Sequence, residues 1–279
     1  MHTENVILSM LAETSGDTRV DLKLSGKSVL VTGASQGIGW ATALAFAEAG
    51  CRLHLTARNQ AHLEELAAAI AAAGHTQAEI RPLDLTQPGA VQTLVERCGD
   101  VDILVNNAGV IPSGPLSSID EDRWRAGWEL KVFGYINMTR AFLPLMEARG
   151  HGVILNDIGN SGQHYDPDYV AGSSGNASLM AFTRALGGRS LDRGVRVLGV
   201  NPGPVATPRM VKIMKRRALD LYGDEARWEE LTARYPGGRP ATPEEVADLI
   251  VFLASPRAGY ITGTIVTIDG GISSRHSII

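Results

Sequence analysis

Only two cysteines, Cys51 and Cys98, occur in the 279 residues. Two thiols are too few for a disulfide framework or for a zinc site of paired cysteines, so no metal site is expected, and such sparing use of cysteine fits a reducing cytoplasm. No apolar run approaches the roughly 20 residues that a membrane helix needs. The opening Met1–Asn5 also lacks a basic region before the short apolar stretch Val6–Leu8, so neither a membrane partner nor export is expected. Basic excess is missing too: 26 Lys and Arg stand against 30 Asp and Glu, a formal net charge of -4. That balance gives no electrostatic reason for a nucleic-acid partner and leaves a small molecule as the expected one. What remains, 44% hydrophobic and 20% charged residues, is the composition of a chain with a sizeable buried core.

Two kinds of segment alternate. Short Val/Ile/Leu runs read as buried strands at Val29–Thr32, Arg52–Thr56, Glu79–Leu83, Asp102–Val105, Val153–Asn156, Val195–Val200 and Thr264–Ile268. Helical spacing appears at Ile38–Glu48, Ala61–Ala73, Gly89–Arg97, Asp122–Ala148, Ser178–Leu191 and Pro243–Ala254. This alternation predicts one α/β domain, a doubly wound, mainly parallel sheet of seven strands with helices on both faces, over residues 25–279. Residues 1–24 show no period and read as a loose arm. The polar stretch Pro208–Pro240, with Lys212, Lys215, Arg216 and Arg217, contains no strand and reads as a solvated helical face or a lid.

The first strand runs into Gly33-Ala34-Ser35-Gln36-Gly37-Ile38-Gly39 and then directly into an apolar helix. Such spacing allows a tight turn at Gly33, brings bare backbone to a phosphate at Gly37 and packs helix on strand at Gly39. The helix N-terminus then presents free N–H groups to a pyrophosphate.

Together with Asn106-Asn107-Ala108-Gly109, Asp84, Asn201-Pro202-Gly203 with Thr207, and the ending Ile261-Thr262-Gly263 to Asp269-Gly270-Gly271, that loop resembles the short-chain dehydrogenase/reductase family. The resemblance covers roughly Lys23–Ile272. It implies a Rossmann-type sheet, a nicotinamide dinucleotide held by Gly33, Ser35, Gln36, Gly37, Ile38 and Gly39, and often a tetramer built through the fifth and sixth helices. It also implies that Asp84 and Leu85 border the adenine, that Asn107, Ala108 and Gly109 line the ribose, and that Pro202, Gly203, Val205 and Thr207 hold the nicotinamide end. Asp84 is equally placed to cap the segment after it.

Cofactor choice turns on the end of the second strand, Leu55-Thr56-Ala57-Arg58-Asn59. NAD-using members of the family tend to carry an acid where Ala57 stands. Arg58 offers a guanidinium for a 2′-phosphate, with Asn59 beside it, so NADP(H) is expected over NAD(H). Gln36, where many NADP-using members are basic, weighs the other way.

The family's acid–base set is an Asn on the long helix, a Ser after the fifth strand, a Tyr and a Lys four residues beyond it. Carried onto this chain by spacing from Pro144 and Gly162, those four positions hold Lys131, Gly159, Gly172 and Asn176. All four are replaced, and the lysine and asparagine have exchanged places. Tyr169, three residues before the vacated tyrosine, is the expected phenol, with Lys131 as the cation that lowers it. Tyr165 and His164 lie further upstream. Ser161, Ser173 and Ser174 read first as turn and cap residues. Val110, Ile111, Pro112, Met210, Met214 and Trp228 suggest an apolar or aromatic substrate. The expected function is interconversion of a secondary alcohol and a ketone; the alternatives are a dinucleotide-binding sensor or partner subunit, and a non-redox lyase, isomerase or hydrolase.

Overall fold

A computed structural model describes residues 20–75 and 78–275. Its single sheet consists of seven parallel strands: β1 (Ser28–Thr32), β2 (Arg52–Ala57), β3 (Glu79–Pro82), β4 (Ile103–Asn106), β5 (Gly152–Asp157), β6 (Val195–Pro202) and β7 (Ile265–Ile268). Their order is β3-β2-β1-β4-β5-β6-β7. Every connection is therefore a crossover, and the helices cover both faces. The helices are α1 (Gly37–Glu48), α2 (Gln60–Ala72), α3 (Ala90–Cys98), α4 (Glu121–Trp128), α5 (Gly134–Arg149), α6 (Val170–Ser190), α7 (Pro208–Tyr222) and α8 (Pro243–Ala254).

Alternate strand residues supply two cores, which is why β1 is apolar throughout. Val29 and Val31 join Phe46, Leu53, Leu66 and Ile250 on one face, while Leu30 joins Leu104, Phe142 and Ile154 on the other. Buried Arg196 donates to the carbonyls of Leu253, Ala254 and Ser255, closing the C-terminus of α8 with a cation where the helix dipole favours one.

Of the arm expected over 1–24, residues 1–19 lie outside the described residues. Leu24 is a correction to that boundary: it is 2% exposed and belongs to the core. The helix expected over Asp122–Ala148 is interrupted by a π-helical turn at Glu129–Phe133. The helix expected from Ser178 begins instead at Val170. Gly172, Ser173, Ser174 and Gly175 hide the helical period there, yet small residues are what the packing requires. A Cβ on Gly175 would meet Val132 Cγ2 at 3.1 Å and Trp128 Nε1 at 3.2 Å. Within 208–240 there is no strand; α7 is followed by 3-10 turns at Glu225–Thr232 and Pro236–Gly238, and Lys212, Arg216 and Arg217 are exposed.

Candidate active site

The chain leaves β1 toward β3 and then returns to place β4 on the other side of β1. Loops from β1 and β4 diverge at the carboxyl ends, and a crevice opens there. Thr32 fastens its floor: the hydroxyl donates to Val105 O and accepts from the N–H groups of Asn107 and Ala108. Asn107 Nδ2 donates to Thr32 O at 2.8 Å and Gly33 O at 3.1 Å. Its amide nitrogen thus fixes the glycine loop.

Glycine is required at three points. Gly33 has φ 68°, and a Cβ there would meet Ala108 Cα at 2.8 Å. At Gly37, with φ 59°, it would meet Thr207 Cγ2 at 3.0 Å. On Gly39 it would collide with Gly33 O and Asn107 Nδ2. The resulting bare cradle faces the N-terminus of α1, which no side chain caps. Unclaimed N–H groups and a glycine wall suit the pyrophosphate of a dinucleotide.

One cleft of about 460 Å³ follows this crevice. Of the expected cofactor residues, Gly33, Ser35, Gln36, Gly37, Ile38, Arg58, Asn59, Leu85, Asn107, Ala108, Gly109 and Thr207 line it. Five do not. Gly39 serves helix packing, and Asp84 accepts from Thr86 N and Oγ1, closing the local turn. Pro202 and Val205 are buried, and Gly203 lies against Asp269. The sequence reading missed His62, Leu130, Asp157 and Arg209, all of which line the cleft. For Asp157 a signal existed: an acid closing the otherwise apolar run Val153–Leu155 with Asn156.

Around the far wall Lys131, Gly159, Gly172 and Asn176 take distinct places. Lys131 lies on the π turn, a deviation that often marks functional sites. Its stem lies along Gly109, where a Cβ would meet Lys131 Cδ at 2.7 Å, and its Nζ donates to Ile158 O at 2.7 Å. Burial lowers the Lys131 pKa, against the opposing pull of Asp157. Asn176 Nδ2 donates to Ser161 Oγ at 2.8 Å and Gly159 O at 3.3 Å, so Asn176 pins the turn after β5 to α6 and does not line the cleft. Ser173 and Ser174 make turn and helix-backbone contacts, with Asp166 N and Val170 O.

The Tyr169 ring lies over Gly172, in the space that a Cβ on Gly172 would enter. Burial raises the Tyr169 pKa, and the cation that opposes the rise is Arg209. That corrects the expectation that Lys131 would lower it. Tyr169 is not among the cleft-lining residues either. Arg209 itself donates to Ile111 O at 3.1 Å. Of the expected apolar wall, Val110 lines the cleft, whereas Ile111 is 1% exposed and belongs to the core.

The family model described as enoyl-(acyl carrier protein) reductase matches residues 33–273. A 2-keto-3-deoxy-L-fuconate dehydrogenase from Xanthomonas campestris pv. campestris is 35% identical over 277 residues, 98% of this chain and 88% of that protein. The chain belongs to the short-chain dehydrogenase/reductase family. A galactitol 2-dehydrogenase (L-tagatose-forming) from Cereibacter sphaeroides is likewise 35% identical, covering 91% of this reductase-family chain and 98% of its relative. Among solved structures, L-sorbose reductase from Gluconobacter frateurii, complexed with NADPH and L-sorbose, superposes with a TM-score of 0.85 at 31% identity, covering 91% of this chain and 98% of that one. This member of the family is thus an NAD(P)-dependent oxidoreductase on a single-domain Rossmann-type fold. No described helix is long and apolar enough to cross a membrane.

Proposed function

We propose that this enzyme interconverts a secondary alcohol and a ketone, prefers NADP(H), and works with a non-standard proton-handling set. One observation carries the reading: a single cleft is lined both by Arg58, after β2, and by Lys131 and Asp157, at β5. β2 and β5 are three strand spacings apart, about 14 Å, which suits an extended dinucleotide reaching from one set to the other.

Arg58 is exposed, follows Ala57 where an acid would reject a phosphate, and has His62 beside it in the cleft wall; this supports a 2′-phosphate. A bound nicotinamide supplies or accepts hydride at the substrate carbon. The replaced positions Lys131, Gly159, Gly172 and Asn176 leave Tyr169 as the nearby phenol. Raised by burial, it stays protonated; it lies outside the cleft lining, so it donates a hydrogen bond to a substrate that extends from the cleft past Arg209, which adds positive charge.

Lys131, Asp157 and Arg209 facing one cleft, and sugar-type substrates in the names of the relatives, favour a polyhydroxylated ketone. Apolar or aromatic ketones, suggested by Val110 in the cleft wall, form the second group to test. A homo-oligomer, dimer or tetramer, is supported by the apolar groove around Trp124, with Leu116 66% and Phe133 46% exposed. A reducing cytoplasm is supported by two buried free thiols.

The test follows reduced-cofactor absorbance with both ketone groups, using NADPH and NADH in parallel. Consumption of NADPH in preference to NADH is the expected outcome. The non-redox binding reading has one observation in its favour, the engagement of Asn176 by Ser161 and Gly159. Tight NADPH binding with no ketone consumed would select it.

A further inference from the structure

We propose that Asp157, the last residue of β5, is the group that exchanges a proton with the substrate oxygen, and that Lys131 is its positioning cation. The proposal rests on the alcohol–ketone reading given above.

Asp157 combines three properties that a structural carboxylate has no reason to share. It ends a strand at the carboxyl edge of the sheet, where ligands of doubly wound folds lie. It is only 7% exposed yet lines the cleft beside Lys131. Among the described residues its carboxyl accepts no hydrogen bond; the one bond made there goes to its backbone carbonyl, from the Tyr135 hydroxyl at 2.7 Å. A buried carboxyl without donors is costly, and the three residues before Asn156 in β5 are apolar. An open acceptor turned to a cleft is what a proton-transfer group requires.

The charged and titratable groups around it come from every neighbouring element. Lys131 of the π turn attracts the carboxylate, but its Nζ is held by Ile158 O, so the two form no direct ion pair among the described residues. Tyr135 of α5, which donates to the Asp157 carbonyl, stays protonated through burial and the negative charge of Asp157. Arg209 of α7 acts on Lys131 and on Tyr169. Burial outweighs Lys131, and the Asp157 carboxyl is pushed up to about 6. An acid in that range is protonated often enough, and releases its proton easily enough, to serve near neutrality.

In ketone reduction, the carbonyl carbon gains hydride and its π pair becomes a lone pair on oxygen. The Asp157 O–H bond breaks as the new O–H bond forms, leaving an alcohol and a carboxylate opposite Lys131. Water then returns the proton to Asp157. Alcohol oxidation runs the same transfers backwards, with the carboxylate as base.

Two measurements test this. In the cofactor-free protein labelled with 13C at aspartate carboxyls, the resonance missing from Asp157→Asn should titrate near pH 6, and Lys131→Met should move that midpoint upward. A midpoint near 4, or one that Lys131→Met leaves in place, overturns the proposal. In turnover, ketone reduction should fall as pH rises through about 6 and alcohol oxidation should rise. Asp157→Asn should remove that limb and lower turnover by about 10²–10⁴-fold, and Asp157→Glu should restore part of both. Undiminished turnover with the limb intact in Asp157→Asn overturns the proposal alone. No reduced cofactor consumed by the unmutated protein overturns the alcohol–ketone reading, and the proposal with it.

Discussion

The two halves of the cleft are built on different principles. Around β1 and α1, shape is set by backbone: Gly33, Gly37 and Gly39 are required because a Cβ would strike Ala108, Thr207 or Gly33 itself. Beside Lys131 and Tyr169, after β4 and at the start of α6, glycines do the opposite. Gly172 leaves room for the Tyr169 ring and Gly109 for the Lys131 stem, so absent side chains make space for side chains from elsewhere in the chain. The lesson is that the glycine cradle tolerates almost no added atom, whereas at Gly109 and Gly172 the missing side chain is replaced by a neighbour that fills the space.

The largest expected effect breaks the rigid half. Gly39→Ala would drive a methyl into Gly33 O and the Asn107 amide, forcing apart the loop that Asn107 fastens. NADPH affinity, measured by fluorescence titration, should fall by more than about 100-fold, or about 2.7 kcal/mol. Far-UV circular dichroism would check that the fold survives. A loss under tenfold would show that the cradle is less tightly packed than these contacts require.

The adaptable half is tested by a matched pair. Removing the donor with Tyr169→Phe should lower turnover by about 10²–10³-fold, the usual effect of losing one donor to a developing oxyanion. Gly172→Ala should mimic it, because its methyl would displace the Tyr169 ring. NADPH affinity should change little in either variant. If Gly172→Ala keeps full turnover while Tyr169→Phe does not, the ring reaches substrate from some other position.

This contrast also explains what the sequence disclosed. Strand number, strand positions and the cradle follow from residue patterns that local sterics enforce, and most of the loop residues expected at the cofactor do line the cleft. The start of α6 was hidden because its first turns are small residues selected by packing against Val132 and Trp128, not by period. Asp157 was missed although an acid closing the apolar run of β5 was visible, because its weight comes from Lys131, distant in sequence, lining the same cleft. The cation acting on Tyr169 was misassigned for a similar reason: Arg209 comes within electrostatic reach of it only through the tertiary fold.

A smaller effect sharpens the comparison within the cradle itself. Arg58 is exposed and contributes charge, not shape, so its loss should be selective. Arg58→Ala should weaken NADPH by about 1.5–3 kcal/mol, the value of a charged hydrogen bond, and leave NADH unchanged. Isothermal titration with both cofactors reads this directly. Equal losses for the two would mean that Arg58 supports the loop and does not recognise the 2′-phosphate.

The smallest effect is expected at the end of the sheet away from the cleft. There, Cys51 Sγ donates to Leu24 O at 3.4 Å, Gly26 N donates to Gly50 O at 2.9 Å, and Arg257 Nε donates to Asp21 O at 3.1 Å. These contacts join the chain before β1 to the amino end of β2 and to the turn after α8. The five residues of β1, about 16 Å of extended chain, separate them from the cradle. Deleting residues 2–19 should therefore leave the NADPH dissociation constant within tenfold, about 1.4 kcal/mol. A deletion that also takes Leu24 should cost stability instead, about 2–5 kcal/mol for a fully buried leucine, visible as a lower urea midpoint. If the shorter deletion lowers affinity more than tenfold while the urea midpoint holds, then residues 2–19 reach the cleft of their own chain or of a neighbouring copy, and the two ends of the sheet are not independent.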